Sequence, residues 1–336
     1  LTPYSYVYLV ILRSTQGLIQ GFEYPTFQTL IANWIPPLER GRSIAAFFSG
    51  EPFGIISAQL LGGFICQPYL NSVIGQYESH WPIMFYSFGA YSLFVCVLIF
   101  CIIYDSPSNH PTITNQEKCY ILKMINVHKE SFNSEVLSQD DEMKLPDKQK
   151  RSIPYKSILT SMPFYSILVT HVCHNWTYYT LITCLPTYMS TVLGYSIKEV
   201  CLSIYRFLIL NSDTKTNRAL MGTAICIVSA GLLGCRTQAV VIMFCATTGF
   251  LGFSLGGYLV NFFDISGQYS STLFSLSNTV ASIPGLFGPL LVGYLTKENS
   301  TVIEWLIVFY VSAGVAAFGT IFNCIFTSGR MQEWAV

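Results

Sequence analysis

The chain has 336 residues, 51% of them apolar and 11% charged, with a mean hydropathy of +0.46. Soluble domains carry about 25% charged residues, so this composition excludes a disordered chain and a collagen-like fibre, and a soluble domain could not make its surface polar; a membrane protein with several spans is the expected class. Eighteen basic and eighteen acidic side chains cancel, which leaves nucleic acid without electrostatic support as a partner.

A helix needs about 20 apolar residues to cross the hydrocarbon core. Eight segments are predicted on that basis: Tyr4 to Trp34, Ser43 to Ile65, Trp81 to Tyr104, Ile158 to Met189, Ala219 to Gly234, Ala239 to Phe263, Ser271 to Thr296 and Ile303 to Phe326. The expected fold class is all-α, a polytopic bundle embedded in a lipid bilayer.

An ionisable side chain at the bilayer centre costs at least ~2.5–3.5 kcal/mol, so each one inside a span is a functional candidate. In the first span Arg13 suits bidentate pairing with a carboxylate or phosphate. Its other reading is snorkelling to the outer interface, because it lies close to Tyr4. Gln20 falls nearly in line with Arg13 on the helix face, and Glu23 lies about one turn further. Glu39, Arg40 and Arg42 follow, as anchors of a cytosolic turn or as salt-bridging parts of a cytosolic gate. In the second span Glu51 sits between Gly50 and Gly54, a spacing that permits close helix approach. It faces either a neighbouring helix or a cavity.

Asp105 to Lys156 is long and polar. Thr114-Asn-Gln-Glu117 has the pattern of a capping box. Tyr120, Ile121, Met124, Ile125 and His128 then recur at helical spacing, predicting an amphipathic helix on the membrane or on the underside of the bundle. Ser131 to Ser152 reads as a polar linker.

In the fourth span His174, Asn175, Tyr178 and Tyr179 form a polar patch, which at mid-membrane turns to the bundle interior. His174 either titrates, donates to an anion or makes a structural hydrogen bond. Asn261 and Asp264 close the sixth span, whose Gly249, Gly252, Gly256 and Gly257 allow close or sliding helix contact. Pro284, Gly285, Gly288 and Pro289 are expected to bend the next helix.

Positive charge sets the orientation. Arg40, Arg42, eight basic residues from Lys118 to Lys156, Arg206, Lys215, Arg218 and Arg330 fall on one side, against Lys198, Arg236 and Lys297 on the other. The first side is cytosolic, and the first span runs inward. The alternation closes only if one more crossing is supplied between Lys198 and Lys215, where Val200 to Leu210 reaches roughly 16 Å, about half of a ~30 Å core. No H-E-x-x-H, G-x-S-x-G, P-loop or clustered metal ligands occur, so no enzyme, no metal site and no cofactor is expected.

The stretches RSTQGLIQGFEYPTF, NWIPPLERGRS, DSPSNHPTIT, LVNFFDISGQYSS and SNTVASIPGLFGPLLVGYLT, with SGRMQEWA near the end, together resemble the anion–cation symporter family of the major facilitator superfamily. That family includes sialin, the vesicular glutamate transporters and the sodium-phosphate cotransporters. The resemblance implies two six-helix halves joined by a cytosolic loop. On that template residues 1–104 are the remainder of the N-terminal half, 105–156 the loop, 157–330 the C-terminal half and 331–336 a cytosolic tail. The first span takes the place of the family's fourth helix, helices one to three are absent, and most of the eighth is missing near 200–210. The implied function is secondary transport of a small organic or inorganic anion, coupled to a proton or sodium by alternating access, in a plasma, vesicle or lysosome membrane. The alternative is a truncated isoform or regulatory partner that does not transport.

The family's fourth helix carries an Arg at the place of Arg13, implicated in holding the anion. Vesicular glutamate transporters and sialin have a Glu at the place of Gln20, tied to proton coupling. An amide cannot titrate, so Glu23 or Glu51 is expected to carry the coupling cation. At the place of His174 the same relatives have Arg and Tyr. The expected substrate-binding set is Arg13, Gln20, His174, Tyr178, Tyr179 and Asn261, and the expected cytosolic gate is Glu39, Arg40, Arg42 and Asp264.

Overall fold

The computed structural model describes residues 3–65, 69–71, 76–78, 81–125, 153–192, 216–233, 236–297 and 302–335. The segments 126–152 and 193–215, which hold the predicted linker and the gap at Val200 to Leu210, lie outside the described residues.

The first predicted span is two helices, α1 (Pro3–Gln20) and α2 (Glu23–Trp34). Pro25 explains the break: it has no N–H for the Gly21 carbonyl and its ring crowds that carbonyl, while Gly21 itself favours helix poorly. Glu23 therefore sits in the first turn of α2, where a carboxylate meets the positive end of the helix dipole. Pro36 and Pro37 stop α2, leaving Ile35 extended. α3 (Arg40–Ile65) returns across the bundle. A short antiparallel hairpin follows, Tyr69–Asn71 against Gln76–Glu78 in the register Tyr69 to Glu78, which the helical pattern did not predict. α4 (Trp81–Ile102) comes next. Its end is tied to α2: Trp34 Nε1 donates to the Tyr104 carbonyl at 2.8 Å and Asn33 Nδ2 to that of Asp105 at 3.1 Å.

The capping box forms in part: the Glu117 N–H donates to Thr114 Oγ1 at 3.3 Å, and residues 115–125 are helical (α5). Ile121 and Ile125 are buried, and the Tyr120 hydroxyl donates to Glu39 Oε1 at 3.4 Å. The helix thus docks beneath the α2–α3 turn, the bundle-underside version of the sequence reading.

The remaining helices are α6 (Tyr155–Leu159), α7 (Met162–Thr191), α8 (Thr216–Leu232), α9 (Thr237–Ser266), α10 (Ser270–Ala281), α11 (Pro284–Leu295) and α12 (Val302–Phe326). Gly267, at φ +49°, ends α9 in a backbone conformation that L side chains rarely adopt. Among the described residues Pro82–Ile102, Thr237–Ser266, Ser270–Leu295 and Val302–Phe326 are long and apolar enough to cross a bilayer. α7 is just as long but spends its hydropathy on buried Thr170, His171, His174, Asn175 and Thr177.

Two apolar clusters hold the bundle. One joins α7, α8, α9, α11 and α12 around Tyr188, Phe244, Trp305 and Phe309. The other joins Ile31 of α2 and Ile44 and Phe48 of α3 to Phe164, Phe262, Phe263, Leu273 and Phe274 of α7, α9 and α10. It lies toward the end bearing Arg40 and Asp264, cytosolic by the charge rule, and ties the N-terminal helices to the C-terminal ones. α8 and α9 approach closely because Gly257 has no side chain: a Cβ there would overlap the Thr216 hydroxyl and come within 3.0 Å of its backbone nitrogen.

Candidate functional site

A cavity opens directly above the second cluster, between α2 and α3 on one side and α7, α9 and α10 on the other. It holds about 680 Å³ of space, counting the part open to its surroundings. α2 and α3 supply Tyr24 and Phe48; α7 supplies His171, His174, Asn175, Tyr178 and Tyr179; α9 supplies Thr248, Leu251, Gly252, Leu255, Tyr258 and Leu259; α10 supplies Phe274 and Asn278. The α7 set recurs every three or four residues, as one helix face must. The floor is aromatic: Tyr24 stacks on Phe48 at 5.8 Å and lies 6.0 Å from Phe274, so rings from both sides of the seam close it.

The polar groups of α7 are buried and partnered. His171 and His174 are 3% and 2% exposed. Nδ1 of His171 shares a hydrogen bond with Ser277 Oγ of α10 at 2.9 Å, and Nδ1 of His174 one with Ser254 Oγ of α9 at 2.6 Å. Asn175 Nδ2 donates to the Ala281 carbonyl at 2.9 Å. That carbonyl needs a donor because the helix is interrupted there: Pro284 has no N–H, and the Gly285 N–H turns back to Ser282 at 3.0 Å. A freed backbone carbonyl at membrane depth must find a partner, and α7 provides it. Close approach of α7 and α11 requires glycine twice, since a Cβ at Gly288 would lie 2.7 Å from Thr180 Oγ1 and one at Gly285 3.2 Å from the Tyr179 ring.

Of the predicted substrate-binding residues, His174, Tyr178 and Tyr179 line this cavity and Arg13, Gln20 and Asn261 do not. Arg13 is exposed on α1, where Nη1 donates to Gln16 Oε1 at 3.0 Å and the guanidinium lies 5.5 Å from the centre of the Phe85 ring. It lies on α1, on the other side of the Gly21 break from Tyr24. Gln20 and Glu23 are exposed. Asn261 Nδ2 donates to Thr327 Oγ1 at 3.4 Å. Glu51 falls within α3, its side chain outside the described residues.

At the cytosolic mouth Arg40 lies 4.9 Å from the centre of the Phe263 ring. Burial pushes its guanidinium below the ordinary value, and the Asp264 carboxylate works against that shift. Arg40 and Asp264 are thus brought together across the α3–α9 seam. Glu39 accepts from Tyr120, and Arg42 is exposed. His171, Tyr24, Tyr258 and Asn278 were not singled out from the sequence. His171 carried a readable signal, one turn before His174 on the same helix; Asn278 and Tyr258 depend on which helices meet α7.

Residues 1–255 match the Major Facilitator Superfamily. The chain is 33% identical to sialin from Ovis aries over 353 aligned positions, covering 98% of this chain and 66% of that protein. It is 32% identical to vesicular glutamate transporter 3 from Danio rerio, covering 97% and 55%. It thus spans about two thirds of the one relative's length and just over half of the other's. A crystal structure of a bacterial homolog to the human lysosomal transporter Spinster aligns over 90% of this chain and 72% of that one, at 14% identity and a TM-score of 0.40.

Proposed function

Because the chain belongs to the Major Facilitator Superfamily and is a multi-pass integral membrane protein, we propose that it serves as a secondary active transporter of a small organic or inorganic anion, coupled to a proton or sodium. The observation that carries this reading is the cavity itself: it sits at the seam between the N-terminal and C-terminal helices, above an apolar cluster built from both. Such a site is what alternating access requires, because parting the two groups of helices on the cytosolic side separates Tyr24 and Phe48 from Phe274 and opens the floor. The names of the relatives support the cargo class. One is by name a vesicular transporter of glutamate, which is an anion at neutral pH.

Within this reading His174, Tyr178 and Tyr179 hold the anion. Arg13, exposed and outside the cavity lining, draws anions toward it, as a fixed charge near a low-dielectric cleft does. Arg40 and Asp264 hold the cytosolic mouth closed. The test is uptake into proteoliposomes of a panel of labelled anions, phosphate, glutamate and sialic acid among them, with pH and sodium varied separately. Saturable uptake of at least one anion, driven by one of the two gradients, is expected. Folded protein that moves none of them under either gradient overturns the proposal.

A further inference from the structure

The described lining of the cavity contains no Arg, Lys, Asp or Glu. An anion entering it loses water and gains only neutral donors, and in a low-dielectric site an unpaired charge is costly. Among the described lining residues a positive partner can come only from a group that becomes charged, and imidazole is the side chain suited to that near neutral pH.

The contact between His174 and Ser254 can run in either direction, and the Leu251 carbonyl, which can only accept, favours the one in which Ser254 gives its proton to the backbone. The Ser254 hydroxyl donates its one proton to the Leu251 carbonyl at 2.8 Å. Toward His174 it can then only accept, so the imidazole Nδ1 carries the hydrogen of their 2.6 Å contact. In the neutral ring the basic nitrogen is therefore Nε2. It makes no hydrogen bond among the described residues, and its ring lines the cavity. Adding a proton at Nε2 breaks no existing bond. The titratable groups around it are a second imidazole and four phenols: His171 one turn earlier on α7, Tyr258 from α9 with its ring 5.5 Å away, Tyr178 on α7 at 6.1 Å, and Tyr179 of α7 and Tyr24 of α2 in the same lining. α10 presents Ser277, which holds the neighbouring imidazole of His171. α3 presents Phe48.

We propose that Nε2 of His174 is the binding site of the co-transported proton, and that proton and anion bind as a mutually dependent pair. This rests on the transport reading and names its coupling ion and site. The anion stabilises the imidazolium, and the imidazolium supplies the charge that the described lining lacks. By linkage each raises the affinity for the other by the same factor. A net-neutral pair then crosses the seam, and neither partner crosses efficiently alone. Ser254 positions the proton on Nδ1 and so keeps Nε2 as the acceptor.

The experiment is uptake of labelled L-glutamate and of labelled inorganic phosphate into proteoliposomes at fixed sodium, with a lumenal pH dye recording protons. For the wild-type protein, one proton should enter per anion, and one pH unit of gradient, acid outside, should raise accumulation by up to about tenfold. His174→Gln should lose that response, and Ser254→Ala, which lets the ring proton choose either nitrogen, should shift the pH midpoint of uptake. Histidine side-chain NMR of the detergent-purified wild type adds a readout independent of transport: glutamate should shift the His174 signals to the imidazolium pattern at constant pH. Wild-type uptake driven by sodium with no proton movement overturns this proposal and leaves the transport reading standing. Proton-coupled uptake that survives in His174→Gln also overturns it. Absence of uptake by the wild type, with no imidazolium signal, overturns both. Should His174→Gln fail to fold, an unshifted midpoint in Ser254→Ala together with an unchanged His174 signal in the wild type counts against the proposal.

Discussion

Asn175 donates to a carbonyl that the Pro284 helix break leaves without a backbone partner, so the cost of removing its amide should depend on that proline. Asn175 is 8% exposed, and Asn175→Leu both deletes the 2.9 Å bond and leaves the Ala281 oxygen buried and unpaired. A lost hydrogen bond is worth about 0.5–1.5 kcal/mol and an orphaned buried acceptor about 1–3, so a loss of about 1–3 kcal/mol is expected. With Pro284→Ala the helix can continue from α10 into α11, and the Gly285 N–H becomes free to serve Ala281. In that background Asn175→Leu should cost less than about 1 kcal/mol, a coupling that a double-mutant cycle resolves. Equilibrium unfolding of the four proteins in mixed micelles measures it. Equal costs in both backgrounds would refute the idea that the break created the need for the amide.

Three further outcomes follow from the same geometry. Gly257→Val drives its side chain into Thr216 and should destabilise the protein by about 1–3 kcal/mol; unfolding midpoints check this, and Thr216→Ala should recover part of the loss. Thr114→Ala removes the oxygen that accepts from the Glu117 N–H and should cost about 0.5–2 kcal/mol locally, read as faster hydrogen exchange across 115–125 with the bundle helices unchanged. Arg13→Gln should raise KM for anion uptake while leaving kcat nearly constant, because Arg13 stands outside the cavity and acts on encounter; a fall in kcat alone would place it in the transport step instead.

The helices were legible in the sequence because hydropathy and charge parity report the solvent around each segment. The Major Facilitator match over residues 1–255 agrees with the motif resemblance. Helix interruptions were less legible. Pro284 was expected to bend a helix and does end one, but the break near Gly21 was overlooked although Pro25 sits only four residues on. The hairpin at Tyr69–Asn71 was missed because three-residue strands carry too little periodicity to read. The site was legible on α7, where His174, Tyr178 and Tyr179 share one helix face that the sequence itself defines. It was not legible on α2, α9 and α10, because Tyr24, Tyr258 and Asn278 join the cavity only through the order in which helices pack. Arg13 shows the same limit: its charge at membrane depth marks it as special, but sequence spacing does not say which seam it faces.

Gly252 offers the most direct test that this cavity is the route of transport. It lines the cavity, and a Cβ there meets nothing within 4 Å, so a side chain can start there without backbone strain and Gly252→Trp puts its bulk into the cavity. Anion uptake into proteoliposomes should vanish in Gly252→Trp while its unfolding midpoint stays at the wild-type value. Uptake at the wild-type rate by the folded variant would contradict the account, because an anion could then cross without entering the space between α2, α3, α7, α9 and α10.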